Sequence, residues 1–293
     1  MTSQVRQGAS LPRNQRELLW EDTKMKKLFA VLLAIAMLAS FAACSASKPA
    51  SDVSADSATP TIDKIKEAGK LVVLTNATFP PFEYIGDDGE VVGVDADIAK
   101  LIADKIGVEL EIVDMDFDLL VEALVGGKGD MIAAGMTATD EKKLSIDFSD
   151  TYIKMGLQVI IPVGSDIKSF DDLAGKKIAV QLGTTGDAYA TENVEGAEVL
   201  PFKGMVEAGQ AVVSGNADAA IIDVLPAEYI VKQNADKIEL LGLISEEDIA
   251  LGVAKGQEDF LALINEVLKE NMENGTIDQQ FDLHMASFDA DAY

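Results

Sequence analysis

The 293-residue chain has one cysteine, one histidine and one tryptophan, and about half as many basic as acidic side chains. Each scarcity excludes something. With Cys44 alone no intramolecular disulfide can form, so the fold must rest on its own apolar core. With His284 alone there is no histidine–cysteine metal spacing and no H-E-x-x-H pair, and G-x-S-x-G is missing too. A balance of 24 Lys and Arg against 50 Asp and Glu gives a formal net charge of −26, the wrong sign for gripping nucleic-acid phosphates. The acids fall in ones and twos, the pattern of a solvated surface rather than of an interaction tail. No apolar run reaches the roughly 20 residues that cross a bilayer as helix.

What is present begins with Lys26–Cys44, KKLFAVLLAIAMLASFAAC. Two lysines, an apolar stretch from Leu28 to Phe41 and small residues before Cys44 have the form of a bacterial export signal, residues 25–43. Cys44 stands where a lipoprotein signal places its acylated cysteine, although Phe41 opens the box where Leu is commoner. Ordinary cleavage after Ala42 is the alternative, leaving Cys44 a free thiol. Residues 1–24 are polar and aperiodic, and Met25 directly precedes the signal. Codons for Trp20-Glu21-Asp22 can form a purine-rich ribosome-binding sequence, so residues 1–24 read as a mis-assigned leader. Loss of residues 1–43 would make the chain still more acidic. Residues 44–61, Ser/Ala/Pro/Asp-rich, read as a flexible tether between an anchor and the body.

From residue 62 onward, β-rich runs alternate with helical ones. Strands are expected at Leu71–Thr75, Glu109–Val113, Met131–Ala134, Gln158–Ile161, Ile178–Gln181, Ala219–Ile222 and Ile249–Ala254. Helices are expected at Asp95–Ile106, Leu119–Val125, Val206–Ser214, Ala227–Gln233 and Glu258–Asn274. Such alternation predicts parallel sheets covered by helices. Two echoes point to two units of similar design: Ala68-Gly69-Lys70 and Ala174-Gly175-Lys176 each enter a strand, and Val125–Gly135 matches Val213–Asp223. Ligands of two-lobed α/β proteins sit between the lobes at carboxyl ends of strands, here Asn76, Gly135, Gln181–Gly183 and Asp223.

The residues at those ends carry chemistry. Pro80 and Pro81 stiffen a loop bearing Phe79 and Phe82; Phe82 reads as core, whereas Phe79 and Phe117 read as walls for an apolar ligand part. Thr139 is a natural N-cap, which sets Lys142 at a helix start, a misplaced cation costing about 0.3–1 kcal/mol. A bound carboxylate would resolve that conflict, and a surface lysine among acids is the competing reading. Gly183-Thr184-Thr185-Gly186 offers N–H groups and hydroxyls to an anion. Asp223, ending an apolar strand, wants a cation or caps the next helix. An anion site and a cation site on one cleft are what a zwitterion requires.

Taken together, Phe79-Pro-Pro-Phe-Glu-Tyr, Val92-Gly-Val-Asp-Ala-Asp-Ile, Met115-Asp-Phe, Gly135-Met-Thr-Ala-Thr-Asp-Glu-Lys, Ile146-Asp-Phe-Ser-Asp-Thr-Tyr, Gly183-Thr-Thr-Gly and Asn274-Gly-Thr carry a resemblance. Over nearly its whole body the chain resembles the polar amino-acid substrate-binding proteins of bacterial ABC importers. The resemblance implies two doubly wound α/β lobes joined by two crossover hinge strands, the type II periplasmic binding protein-like architecture. With crossovers near Tyr152–Met155 and Asp248–Leu251, the first lobe takes residues 62–152 and 252–293 and the second residues 156–248. It implies a monomer without cofactor, held outside the cytoplasmic membrane by lipid on Cys44, that closes on a free amino acid and meets an ABC permease. Phe79 and Phe117 would flank the ligand's side chain, Gly135 would offer its carbonyl to the ammonium group, Asp223 would pair with that group, and Thr137 and Thr185 would bind the carboxylate. Lys142 stands where the family usually has arginine, a point charge in place of a planar fork. Neutral Asn76 and small Gly186 lean toward an uncharged polar side chain. A dehydratase on the same scaffold and a receptor for a signalling partner are the alternatives; His284, in the last helical stretch, gives the former no support.

Overall fold

The structure, a computed structural model, describes residues 61–291. The signal, Cys44 and all of the tether except Thr61 lie outside the described residues. Thr61 opens a helix, α1 (Thr61–Ala68), which runs into β1 (Lys70–Thr75). A small antiparallel sheet follows, made of β2 (Thr78–Phe79), β3 (Glu83–Ile85) and β4 (Val91–Val92). Helix α2 (Val94–Ile106) buries Val94, Ile98, Ala99, Ile102, Ala103 and Ile106 at i, i+4 spacing, and Gly107 closes it in the left-handed conformation. Strand β5 (Glu109–Asp114), a 3₁₀ turn at Phe117–Leu119, α3 (Leu120–Val125), β6 (Met131–Ile132) and β7 (Ile146–Phe148) complete the first pass.

The chain then enters a second sheet through β8 (Ile153–Pro162), β9 (Lys177–Gln181), α4 (Thr185–Asn193), β10 (Glu198–Phe202), α5 (Met205–Val213), β11 (Ala219–Asp223), α6 (Val224–Gln233) and β12 (Ile238–Ile249). It returns with β13 (Gly252–Ala254), α7 (Glu258–Glu273) and α8 (Thr276–Asp291). The sheet orders are β5-β1-β6-β13-β7 and β10-β9-β11-β8-β12. The two echoes seen in the sequence land on the same places in both: β1 and β9 stand second, β6 and β11 third. These are two sheet-rich α/β lobes of one design.

The sheets are mixed rather than parallel throughout. In the first, β13 runs antiparallel to β6 and β7, and in the second, β8 runs antiparallel to β11 and β12. The antiparallel strands are those nearest the two passages between sheets, Phe148 to Ile153 and Ile249 to Gly252. Those passages are tied to each other and to the first lobe by backbone bonds: Tyr152 N–H to Ile249 O, Ala250 N–H to Met136 O and Ala138 N–H to Asp248 O. The joint is a pair of adjacent, bonded chain segments.

Packing follows the strand period of two. Along β8, Leu157, Val159 and Ile161 face one apolar cluster with Ile178, Val180 and Ile221, while Ile160 faces another with Ala179 and Ile222. Strand β12 went unforeseen because it lies at a sheet edge and is only sporadically buried. The last helix is fastened to the first lobe through His284, whose Nδ1 lies 3.0 Å from the Tyr84 hydroxyl and whose Nε2 lies 2.9 Å from Asp97 Oδ2. That histidine serves the helix.

Candidate ligand-binding site

A narrow cleft with a cavity of about 10 Å³ lies between the lobes, lined by Asn76, Phe79, Glu83, Phe117, Ala134, Gly135, Thr137, Lys142, Gln181, Thr184, Thr185, Met205 and Asp223. All eight residues expected at the strand ends (Asn76, Phe79, Phe117, Gly135, Thr137, Lys142, Thr185 and Asp223) are brought together there. Phe79 and Phe117 are buried and form walls, while Phe82 is fully buried behind Phe79, ring centres 5.0 Å apart. Gly135 has φ +52°, and a Cβ on it would stand 2.4 Å from the Phe79 ring. Only glycine lets backbone and aromatic wall approach this closely.

Asp223 is the N-cap residue of α6, yet its side chain makes no capping bond. It is 6% exposed, and its Oδ1 has no hydrogen-bond partner. Burial, then the charge of Glu247, push its carboxyl up to about 8, with Lys142 opposing them. A buried acid without a partner at a cleft wall is costly in the empty protein and ready for a cation. Lys142 opens the 3₁₀ turn Lys142–Leu144, where its N–H donates to Thr139 Oγ1. Burial holds its ammonium below the ordinary lysine range, against Glu141, Glu247 and Asp223. Residues 44–293 contain no arginine, and Lys142 is the lysine among the residues that line the cleft.

Three acids near the cleft were not read from the sequence. Glu83, on β3, is 1% exposed, and its carboxyl is buried against that of Asp95, with which it shares a side-chain hydrogen bond. Burial, followed by the neighbouring Asp95, pushes its carboxyl well above the usual range. Asp95, on α2, is engaged: it accepts from Gly135 N–H at 2.8 Å and from the Tyr152 hydroxyl at 2.5 Å. Burial pushes it up to about 6, against those two donors and a hydrogen bond with the Glu83 carboxyl. Glu247, near the end of β12, accepts through one oxygen from Thr137 Oγ1 at 2.7 Å and Thr185 Oγ1 at 2.8 Å, and through the other from Ser245 Oγ at 3.2 Å. The two threonine hydroxyls expected to take a ligand's carboxylate are therefore engaged by a carboxylate of the chain itself. The N–H groups of Thr185 and Gly186, at the head of α4, have no intrahelical acceptor and remain for an anion.

Two readings change in detail. Asn76 is committed: its Nδ2 donates to Met115 O at 2.9 Å, and its Oδ1 accepts from Thr78 Oγ1 at 2.7 Å and from Gln181 Nε2 at 2.9 Å. The last bond spans the two lobes. The smallness of Gly186 serves packing and not the ligand, since a Cβ there would stand 2.6 Å from Ile221 O. Among the described residues no group of three or more His, Cys, Asp or Glu side chains could hold a metal ion.

The profile of the bacterial extracellular solute-binding proteins, family 3, matches residues 71–286. The chain is 32% identical over 219 residues to the L-cystine-binding protein TcyJ of Escherichia coli (strain K12), covering 74% of this chain and 82% of that protein. It is 32% identical over 270 residues to the arginine-binding extracellular protein ArtP of Bacillus subtilis (strain 168), covering 87% of this chain and 96% of that one. The crystal structure of the P235GK mutant of ArgBP from T. maritima superposes with a TM-score of 0.72 at 39% identity, over 77% of this chain and 99% of its own. With nearly three quarters of its length matched by the family profile and with relatives this similar across most of both chains, the protein belongs to the bacterial extracellular solute-binding proteins, family 3.

Proposed function

We propose that this protein captures a free α-amino acid between its lobes outside the cytoplasmic membrane and delivers it to an ABC importer. The observation that carries the reading is the pairing within one cleft of an unpartnered buried carboxyl, Asp223, with a half-buried lysine, Lys142. The ligand's ammonium group pairs with Asp223 and the carbonyl of Gly135. Its carboxylate meets Lys142 and the N–H groups of Thr185 and Gly186. Its side chain lies between Phe79 and Phe117. Relatives named as cystine-, arginine- and glutamine-binding proteins support an amino acid, and none of these names is that of an enzyme.

Residues from both lobes touch such a ligand only when the lobes are together, so the ligand shifts the open–closed equilibrium toward closure. A neutral polar side chain is what uncharged Asn76 favours, but its amide is already committed, and Glu83 lies nearby. In the full chain, acylation of Cys44 would keep the body at the membrane beside its permease; absence of an incorporated fatty-acid label on the wild-type protein would refute that anchor. The function itself is tested by a thermal-shift screen of the body against the twenty amino acids. A ligand at 100 times its dissociation constant adds about 2.7 kcal/mol, a clear upward shift; a flat response to all twenty would reject the reading.

A further inference from the structure

Glu247 occupies a place that the amino-acid reading would otherwise give to the ligand. Along β12 the strand period of two sets Ser245, Glu247 and Ile249 on one face and the exposed Glu246 and Asp248 on the other. The register against β8 shifts between Leu243 and Ser245, and such a bulge re-aims the side chains beside it. Ile249 is fully buried, so Glu247 turns inward with it.

There its Oε2 accepts from Thr137 Oγ1 at 2.7 Å and from Thr185 Oγ1 at 2.8 Å, and its Oε1 accepts from Ser245 Oγ at 3.2 Å. Thr137 follows β6 in the first lobe and Thr185 opens α4 in the second, so a single oxygen atom joins the lobes. A hydroxyl has one proton to donate, and both threonines give theirs to Glu247. The charge of the same carboxyl acts on Lys142, opposing what burial does to that ammonium group. Two hydroxyls and a lysine are the surroundings a ligand's carboxylate would seek, and here the chain supplies the carboxylate itself. The cavity left between the lobes, about 10 Å³, has room for about one water and none for an amino acid.

We propose that Glu247 is an intramolecular latch, a stand-in for the ligand's carboxylate that closes the lobes by themselves and is displaced when an amino acid enters. What displaces it rests on the amino-acid reading above; the latch is a property of the chain alone. Its position sets it apart from the pair Lys203–Asp116, which joins the lobes through residues outside the lining of the cleft and can persist over a ligand. Glu247 ties two residues of the lining, so it competes with the ligand. Apparent affinity then equals intrinsic affinity reduced by the unlatched fraction, and an unlatched population of about 10% lowers it about 10-fold.

The test compares the purified wild type with Glu247→Ala by small-angle X-ray scattering and titration calorimetry, using L-glutamine, L-arginine and L-cystine as probes. The ligand-free wild type is expected to be as compact as the protein at saturating ligand. Ligand-free Glu247→Ala should have the larger radius of gyration, contract on binding, and hold whichever probe binds about 10-fold more tightly. A merely structural glutamate would instead lower affinity on removal. Thr185→Val, which frees one end of the latch, should expand the ligand-free protein in the same direction, and should add nothing in the Glu247→Ala background. A Glu247→Ala protein as compact as the wild type without ligand, or one that binds no more tightly, would overturn the proposal. Should Glu247→Ala not fold, Thr137→Val and Thr185→Val replace it with the same expectations. If none of the probes binds either protein, the amino-acid reading is what suffers, and the ligand-free scattering still decides the latch.

Discussion

The two lobes bring the cleft region acids of different standing. In the first, Asp95 accepts from Gly135 N–H and the Tyr152 hydroxyl and pairs with the Glu83 carboxyl beside it. In the second, Glu247 holds Thr137, Thr185 and Ser245 while one oxygen of Asp223 has no partner. The engaged acids build: Asp95 locks the backbone at Gly135, and Glu247 joins threonines from both lobes. Asp223 is left to receive. It differs from Glu83 in its neighbours. Asp223 has a cation, Lys142, acting on it, whereas Glu83 has only other acids. Thus Asp223 and Lys142 together suit a zwitterion, while Glu83 and Asp95 form a buried acid pair behind the Gly135 backbone.

The sharpest break of that contrast is Asp223→Asn. Affinity for the ligand should fall by about 2–5 kcal/mol, because the ammonium group loses its counter-charge in a desolvated place. The empty variant should nonetheless melt higher than the wild type, since a costly buried carboxyl is gone. Calorimetry and thermal melts read the two effects separately; lowered stability together with unchanged affinity would make Asp223 a structural acid like Asp95.

The same group sets a pH dependence. A carboxyl held at about 8 in the folded protein but near 4 in the unfolded chain is protonated in the fold and ionised in the unfolded state across that window. The folded state then binds more protons, so stability of the empty protein falls as pH rises from about 4 to about 8 and levels off above, by at most roughly 5 kcal/mol from this group. Glu83 and Asp95 act in the same direction. Melts of the empty protein from pH 5 to 9 should show the decline, and Asp223→Asn should flatten it. A bound amino acid should reverse it, because the ligand's cation favours the ionised form.

Lys142 tests the anion end. Lys142→Ala should weaken binding by about 1.5–3 kcal/mol, the worth of a charge-assisted hydrogen bond, and Lys142→Arg should hold or tighten it through a bidentate grip. An indifferent Lys142→Ala in calorimetry would leave the carboxylate to the N–H groups at the head of α4.

Which of these acids could be read from the sequence follows from their settings. Asp223 ends the apolar run Ala219–Ile222, where a charge is conspicuous. Glu83 sits among Phe, Pro and Tyr in a loop-like stretch, where an acid reads as solvated; only the β2–β3 turn folds it inward. Glu247 belongs to Ser245-Glu246-Glu247-Asp248, a run with the look of a surface, and becomes internal because β12 passes the joint between the lobes. Gly186 was misread for the converse reason, its smallness answering a strand behind it. The buried strands β1, β9 and β11 were legible as continuous apolar runs and helix α2 from its period. The two-residue strands β2 and β4 and the edge strand β12 were not, since pairing rather than pattern makes them.

The smallest expected effect concerns closure away from the ligand. Lys203 Nζ lies 2.7 Å from Asp116 Oδ2 across the mouth of the cleft, with the lysine well exposed. Gln181 and Asn76 also bond directly between the lobes, and theirs is buried. Exposed pairs lose most of their attraction to water and salt, so Lys203→Ala should change affinity by no more than a few-fold, and less at high salt. Gln181→Ala removes a donor that Asn76 Oδ1 and Lys203 O both accept from and should cost more, with no salt dependence. Equal effects from the two would mean that the closed state is held by its charged rim. The burial of the acids within the cleft argues instead that its interior decides.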